Sequence, residues 1–319
     1  MNVMINTYCN LKCPYCFADN EITVCDEKTM SMDVLEDIIE LHKRNGAKRI
    51  RLIGGEPTIH PYFGAILDRL VSENYFENIH IFSNMTFDKE VRDLLILSNE
   101  STRVSMLPNF NSIETTKDKY ELVKENIIKL AKENMINTIG INLYDKDMDL
   151  QFLFDLVLES GVKHIRWAIT VPNHEIYSDF DFKGYFSQFY NLLIKLFRFC
   201  NENRITNRID CNSIPQCAFD VDQIATLVRL KPDIFAKKTN CNPVIDINPK
   251  LEAFRCFGLS DLYKTKVNKY TSVKNLERQI VSETKEFSDK LVLEECKDCD
   301  VYKFNGNVSC SCIAYRKNK

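Results

Sequence analysis

Between Ser31 and Asn203 apolar residues recur in two rhythms that hand over to one another. "SMDVLEDIIELHKRNG" carries them at helical spacing, with Ser31 placed to cap the first turn and Gly46 to stop the last. "KRIRLIGG" then reads as a short strand, "PYFGAILDRLVSEN" as a helix and "NIHIFSN" as a strand. The alternation continues through helix "DKEVRDLLILSN", strand "TRVSML", helix "KDKYELVKENIIKLAKEN" and strand "TIGINLY". It closes with helix "LQFLFDLVLESG", strand "VKHIRWAIT" and helix "YFSQFYNLLIKLFRFCNEN". With the opening "NVMINT" counted as a strand, six β-α units follow one another without a break. Strands alternating with helices of this length predict an α/β fold of parallel strands joined by crossovers. Such units curl into an open, partial (β/α)6 barrel, and the pattern alone also fits a doubly wound open sheet. In a barrel, function sits on loops leaving the C-terminal ends of the strands.

From about Arg204 the rhythm is lost and cysteines take over, although "VDQIATLVRLKPDIF" and "VKNLERQIVSETKEF" still read as helices. A small domain short of apolar core needs metal or disulfide staples. This places a boundary near residue 205, giving a first domain over 1–204 and a cysteine-rich second one over 205–319. No internal repeat or low-complexity linker interrupts either part.

Charge excludes several partner classes. With 42 basic and 45 acidic residues the formal net charge is -3, so no polybasic field argues for nucleic acid or an anionic membrane. The opening "MNVMINTYCN" lacks a basic n-region and a long apolar core, and no apolar run is long enough to span a bilayer. A soluble cytoplasmic protein is expected. In such a chain 13 cysteines point to metal or redox use rather than to a disulfide framework.

Three of those cysteines, Cys9, Cys13 and Cys16, lie within eight residues as C-x3-C-x2-C, with Tyr15 before the last, and follow the first strand. Gly54-Gly55-Glu56-Pro57 follows the second strand, so both segments share one face. Three thiolates leave a tetrahedral site one ligand short, which suits an iron–sulfur cluster with one open iron better than a closed zinc site. The triad, Tyr15 and the GGEP segment, in this order on a β-α repeat, resemble the radical S-adenosylmethionine (radical SAM) enzymes over residues 1–204. The resemblance implies that Cys9, Cys13 and Cys16 hold a 4Fe–4S cluster whose open iron chelates the amino and carboxylate groups of SAM. An electron from the cluster then breaks the S–C5′ bond, and the 5′-deoxyadenosyl radical takes a hydrogen from the substrate. It further implies that Tyr15 lies against the adenine region, and that Gly54, Gly55 and Glu56 meet the methionyl ammonium. Ser83 and Asn84 at the end of the third strand, Asn142 in the fifth and Arg166 in the sixth stand where the family places ribose and carboxylate contacts. An arginine there serves equally as an ion-pair partner. His60 and His174 follow strands on the same face, and an ordinary polar role suffices for both.

Toward the C-terminus, Cys241 and Cys256 read C-x14-C, followed by Cys296 and Cys299 in "CKDC" and Cys310 and Cys312 in "CSC". This order resembles the SPASM and twitch extensions of radical SAM enzymes, which carry auxiliary 4Fe–4S clusters. It departs from the full SPASM pattern in its C-x10-C and C-x1-C spacings and in lacking the last cysteine. Cys211 and Cys217 are candidates for the missing ligands, so one auxiliary cluster and two both fit. A zinc-stapled or structural-thiol domain is the plain alternative. Cys200 belongs to an apolar helix and reads as core, and Cys25 as a loop thiol.

The expected function is radical SAM chemistry on a peptide made by ribosomes: crosslinking, epimerisation or another oxidation. The chain begins at its first strand, so a peptide substrate would call for a separate recognition protein or direct docking. A radical SAM dehydrogenase of a small molecule is the alternative. An iron–sulfur electron-transfer or redox-sensing protein is the rival from another class, and it leaves GGEP unexplained. An external one-electron reductant of flavodoxin or ferredoxin type is implied.

Overall fold

The computed structural model describes residues 1–99, 102–171, 181–210, 214–236, 244–290 and 294–304. Strands β1 (Asn2–Met4), β2 (Arg49–Ile53), β3 (Asn78–Ser83) and β4 (Val104–Pro108) pair in parallel in that order. β5 (Ile139–Leu143), β6 (His164–Ile169) and β7 (Thr206–Ile209) form a second parallel group. A parallel bridge between Asn109 and Gly140 joins β4 to β5, and the Phe110 amide donates to the Gly140 carbonyl at 2.8 Å. The six predicted strands therefore run as one curled parallel wall.

Helices α1 (Asp19–Val24), α2 (Met32–Arg44), α3 (Phe63–Ser72), α4 (Lys89–Ser98), α5 (Ile113–Thr116), α6 (Tyr120–Lys132) and α7 (Gln151–Ser160) occupy the connections, followed by helices at Phe182–Ser187 and Tyr190–Glu202. Their ends follow local chemistry. Ser31 caps α2 by accepting from the Val34 amide at 3.3 Å, and Asp88 caps α4 from Val91 at 3.0 Å. Gly46 and Gly161 follow α2 and α7 with φ of 65° and 72°, the left-handed turn that glycine takes without strain. Alternate strand residues face these helices: Val3, Ile50, Leu52, Ile79, Ile81, Ile139, Ile141 and Trp167 are all buried.

Beyond position 204 the structure holds strands that apolar periodicity did not reveal. β7 pairs with β6 and belongs to the same wall. β8 (Asp246–Ile247) pairs in parallel with β1, and β9 (Glu252–Phe254) and β10 (Thr265–Lys266) extend that edge antiparallel. β7 reads "TNRI" and β8 and β10 are two residues long, too short for a period-2 signal. The expected helices are present at Val221–Leu230, under a reciprocal Asp220/Gln223 cap, and at Val273–Lys290. No helix among the described residues is long and apolar enough to cross a membrane.

At the β1–β8 seam the Asp246 carboxyl is buried and accepts from Asn2 Nδ2 at 2.8 Å. Burial pushes its pKa up to about 7. A raised carboxyl contributes stability that is fully present below its unfolded value and lost as pH rises through about 7. Wild type is therefore expected to lose a few kcal/mol between roughly pH 5 and pH 8. Asp246→Asn should flatten that slope. Denaturant melts of both proteins at the two pH values check it, and an equal slope in both contradicts it.

Candidate active site

Site residues collect where β1 to β5 end. The backbone first: after β1 the chain turns through Asn6, Thr7 and Tyr8 into Cys9, and after β2 through Gly54 and Gly55 into Glu56. The Gly55 amide donates to the Asn6 carbonyl at 3.1 Å and the Glu56 amide to the Tyr8 carbonyl at 2.9 Å. The two turns are thus laced together. A Cβ on Gly55 would stand 1.9 Å from the Tyr8 carbonyl oxygen, and one on Gly54 would stand 2.4 Å from Asn6 Oδ1. Both glycines are required by the cysteine-bearing loop itself.

Glu56 is buried and accepts four hydrogen bonds. Its Oε1 takes Thr58 N at 3.2 Å, Thr58 Oγ1 at 2.6 Å and Ser83 Oγ at 2.8 Å, and its Oε2 takes Asn84 N at 2.7 Å. Burial pushes its carboxyl above the usual range while these donors oppose the shift. Glu56 therefore ties the end of β2 to the end of β3.

From the end of β3, Asn84 Nδ2 reaches Asn10 Oδ1 at 2.9 Å and lies 3.6 Å from Cys9 Sγ. Asn10 Nδ2 in turn donates to Thr86 Oγ1 at 2.7 Å. The loop then brings Cys13 Sγ to 3.6 Å from Asn111 Oδ1, and the Cys16 amide bonds the Cys13 carbonyl at 3.2 Å. Tyr15 is buried, its hydroxyl donates to Asn111 Oδ1, and its ring lies 4.8 Å from that of Tyr144. Asn142 Nδ2 donates to Asn109 Oδ1 at 2.9 Å, which completes a row of asparagines across β4 and β5.

Burial opposes the ionisation of all three thiols, and neighbouring thiols add to it at Cys13 and Cys16. Burial and the neighbouring Cys16 and Cys9 push Cys13 up to about 12, and burial foremost pushes Cys16 up to about 11 and raises Cys9. A multinuclear cation among them reverses this balance, since a coordinating thiol is deprotonated outright. Among the described residues no group of three His, Cys, Asp or Glu side chains converges as one metal ion requires. Three cysteine thiols on one loop are a donor set of the kind a 4Fe–4S cluster takes, each thiolate meeting a different iron.

Arg166, in β6, stands apart from this group: it pairs with Asp210 and its guanidinium carbon lies 5.6 Å from the Phe82 ring centroid. His60 is buried behind the GGEP turn, and its Nδ1 accepts from the Tyr62 amide at 3.0 Å. Cys200 is fully buried in the helix Tyr190–Glu202, and Cys25 is buried with its thiol 3.4 Å from the Glu27 carbonyl. Of the C-terminal cysteines, Cys217 is exposed on the turn Gln216–Ala218, and Cys256 precedes the turn Phe257–Leu259. The Cys299 amide donates to the Cys296 carbonyl at 3.1 Å. Cys211, Cys241, Cys310, Cys312 and His174 lie outside the described residues.

Residues 3–152 match the family model described as the Radical SAM superfamily. This segment is a radical SAM domain. The family's members are enzymes that use a 4Fe–4S cluster and SAM. The chain is 26% identical over 178 residues to 7-carboxy-7-deazaguanine synthase of Neisseria meningitidis, covering 52% of this chain and 79% of that one. It is 26% identical over 156 residues to GTP 3′,8-cyclase of Chlorobaculum tepidum, covering 44% of this chain and 46% of the cyclase, less than half its length. Among solved structures, SuiB of Streptococcus suis bound to S-adenosylmethionine superposes with a TM-score of 0.63 at 14% identity, over 94% of this chain and 70% of SuiB. SuiB bound to precursor peptide SuiA superposes with a TM-score of 0.56 at 13% identity, over 83% of this chain and 60% of that one. These likenesses show a fold shared with SuiB beyond the matched segment.

Sequence reasoning missed Asn6, Asn10, Asn109, Asn111 and Tyr144. The available signal was "PNFNS", where two asparagines alternate just past a strand end on the functional side. In the radical SAM domain Asn111 joins Cys13 to Tyr15. Asn111→Leu leaves the Tyr15 hydroxyl buried without its acceptor and should cost about 1–3 kcal/mol. Urea unfolding of the variant checks this, and an unchanged midpoint contradicts it.

Proposed function

We propose that this chain cleaves SAM reductively at a cluster held by Cys9, Cys13 and Cys16 and takes a hydrogen from a peptide substrate. The observation that carries the reading is the lacing of the Cys9 loop to the GGEP turn, with Asn84 and Asn111 each 3.6 Å from a triad sulfur. When bound, the cluster and SAM supply one-electron cleavage of a sulfonium and a carbon radical able to attack unactivated C–H bonds. The chain's own residues hold and shield. Glu56 locks Ser83 and Asn84 under the loop, and the buried Tyr15 ring, packed on the half-buried Tyr144, closes the β5 side. Tyr15, Gly54, Gly55, Glu56, Ser83 and Asn142 line the SAM side in this reading.

The stretch after 204 supplies one or two auxiliary clusters from Cys211, Cys217, Cys241, Cys256, Cys296, Cys299, Cys310 and Cys312, and the protein works in the cytoplasm with an external one-electron donor. A fold shared with SuiB, of which one structure holds the precursor peptide SuiA, supports the peptide reading. A small-molecule substrate is the second reading, favoured by the curated relatives, whose names are those of enzymes acting on small molecules. Iron and sulfide counts after anaerobic reconstitution test the cluster assignment: about twelve irons mean three clusters and about eight mean one auxiliary cluster. Zinc without sulfide overturns it. Faster SAM cleavage with a peptide encoded beside the gene supports the peptide reading, and faster cleavage only with a nucleotide supports the second.

A further inference from the structure

The wall's inner face carries positive charge that its own carboxylates do not match. In parallel register, residues paired across strands share a face. Arg51 of β2 pairs with His80 of β3, His80 with Ser105 of β4, and Arg49 with Asn78. Phe82 lies on the same face as His80, and Arg166 reaches across from β6 to within 5.6 Å of the Phe82 ring centroid. Arg166 and Arg208 are paired neighbours on β6 and β7. Arg51, His80 and Arg166 thus share the inner face that lines the wall's lumen, with Arg49 at its exposed lower end.

The carboxylates nearby are already engaged or peripheral. Asp210 pairs with Arg166, and Asp246 is bound by Asn2, one strand removed from Arg51. Glu77 lies at the rim, where Lys48, Arg49, Arg51 and Asn78 line a cavity of about 400 Å³ at the N-terminal ends of β2 and β3. The Arg51 side chain makes no hydrogen bond or ion pair with the described residues, and the residue is half-buried. Burial, with the charges of Arg49 and Arg166, pulls its pKa down, and burial with the same three arginines pulls His80 down to about 4. A guanidinium kept half-dry beside like charges costs stability unless an anion joins it.

We propose that this lumen is an oxyanion site, in which Arg51 and Arg166 hold a carboxylate or phosphate group of the substrate. Arg51 stands two residues before the end of β2, roughly 7 Å below that end of the strand. A substrate held there reaches down the barrel with its anionic end while its reacting carbon stays at the mouth. The placement of the reacting carbon rests on the radical SAM reading; the anion site itself does not.

The test is calorimetric titration of the reconstituted protein, without SAM or reductant, with pyrophosphate in one arm and citrate in the other. The expected result is binding that weakens at least tenfold in Arg51→Gln and in Arg166→Gln, persists in Arg51→Lys, and is untouched in the exposed control Lys89→Gln. Pyrophosphate alone assigns a phosphate, and citrate alone a carboxylate. Melting of Arg51→Gln separates binding from scaffolding: relief of repulsion leaves the melting temperature equal or higher. No binding of either anion, or binding that Arg51→Gln and Arg166→Gln retain, overturns the proposal. A failure here leaves SAM cleavage intact as a separate result, and loss of SAM cleavage leaves this titration readable.

Discussion

Cys13→Ala protein, reconstituted anaerobically, is expected to carry about four fewer irons than wild type and to release no 5′-deoxyadenosine above background. Cys13 lies between the other two, with Cys16 and Cys9 both acting on its thiol and Asn111 at its sulfur. Removing it leaves two triad thiols, Cys9 beside Asn84 Nδ2 and Cys16 on the turn that follows Cys13. Two thiolates do not retain a cluster that three hold with one iron open. Cys25→Ala is the matched control. Cys25 is buried, but its thiol turns to the Glu27 carbonyl, so iron content should stay at the wild-type value. Equal iron loss in both variants would mean that general cysteine chemistry, not the triad, holds the metal.

Gly55→Ala is expected to be strongly damaging. The added carbon would meet the Tyr8 carbonyl at 1.9 Å, its carbon at 2.2 Å and the Cys9 amide at 2.8 Å. All three are backbone, so no side chain can swing aside, and the loop carrying Cys9 must move instead. That breaks the Glu56 N to Tyr8 O bond, and the over-packing costs about 3 kcal/mol, or on the order of 5 °C in melting temperature. Gly64→Ala is the contrast: its nearest neighbour is the end of the Leu94 side chain at 3.3 Å, and alanine favours the helix it sits in. It should be neutral or mildly stabilising. Equal melting of the two variants would remove the explanation offered for the GGEP glycines.

The two glycines show what the sequence makes legible and what it does not. Their position after a strand, downstream of three cysteines, is visible in the string, and so is the shared face of the two segments. The reason they are glycines is not, because it lies in the approach of Tyr8 and Asn6, some 50 positions away. Long amphipathic helices such as α2 and α6 declare themselves through periodicity, whereas β8, two residues held by β1 and β9, has no pattern to read. Asn109 and Asn111 escaped for a related reason. An asparagine past a strand end is an ordinary turn residue until the fold sets it beside Tyr15, Cys13 and Asn142. Arg166 was visible as a strand arginine, and its orientation toward Asp210 and Phe82 required the curl of the wall.

The central claim is that the laced Cys9 and GGEP loops cleave SAM. Its most direct test is anaerobic incubation of the reconstituted protein with SAM and dithionite, reading 5′-deoxyadenosine and methionine by mass spectrometry. The account predicts that both products appear in equal amounts and vanish together in Cys13→Ala. Protein that carries its full iron and sulfide, binds SAM and releases neither product would contradict it.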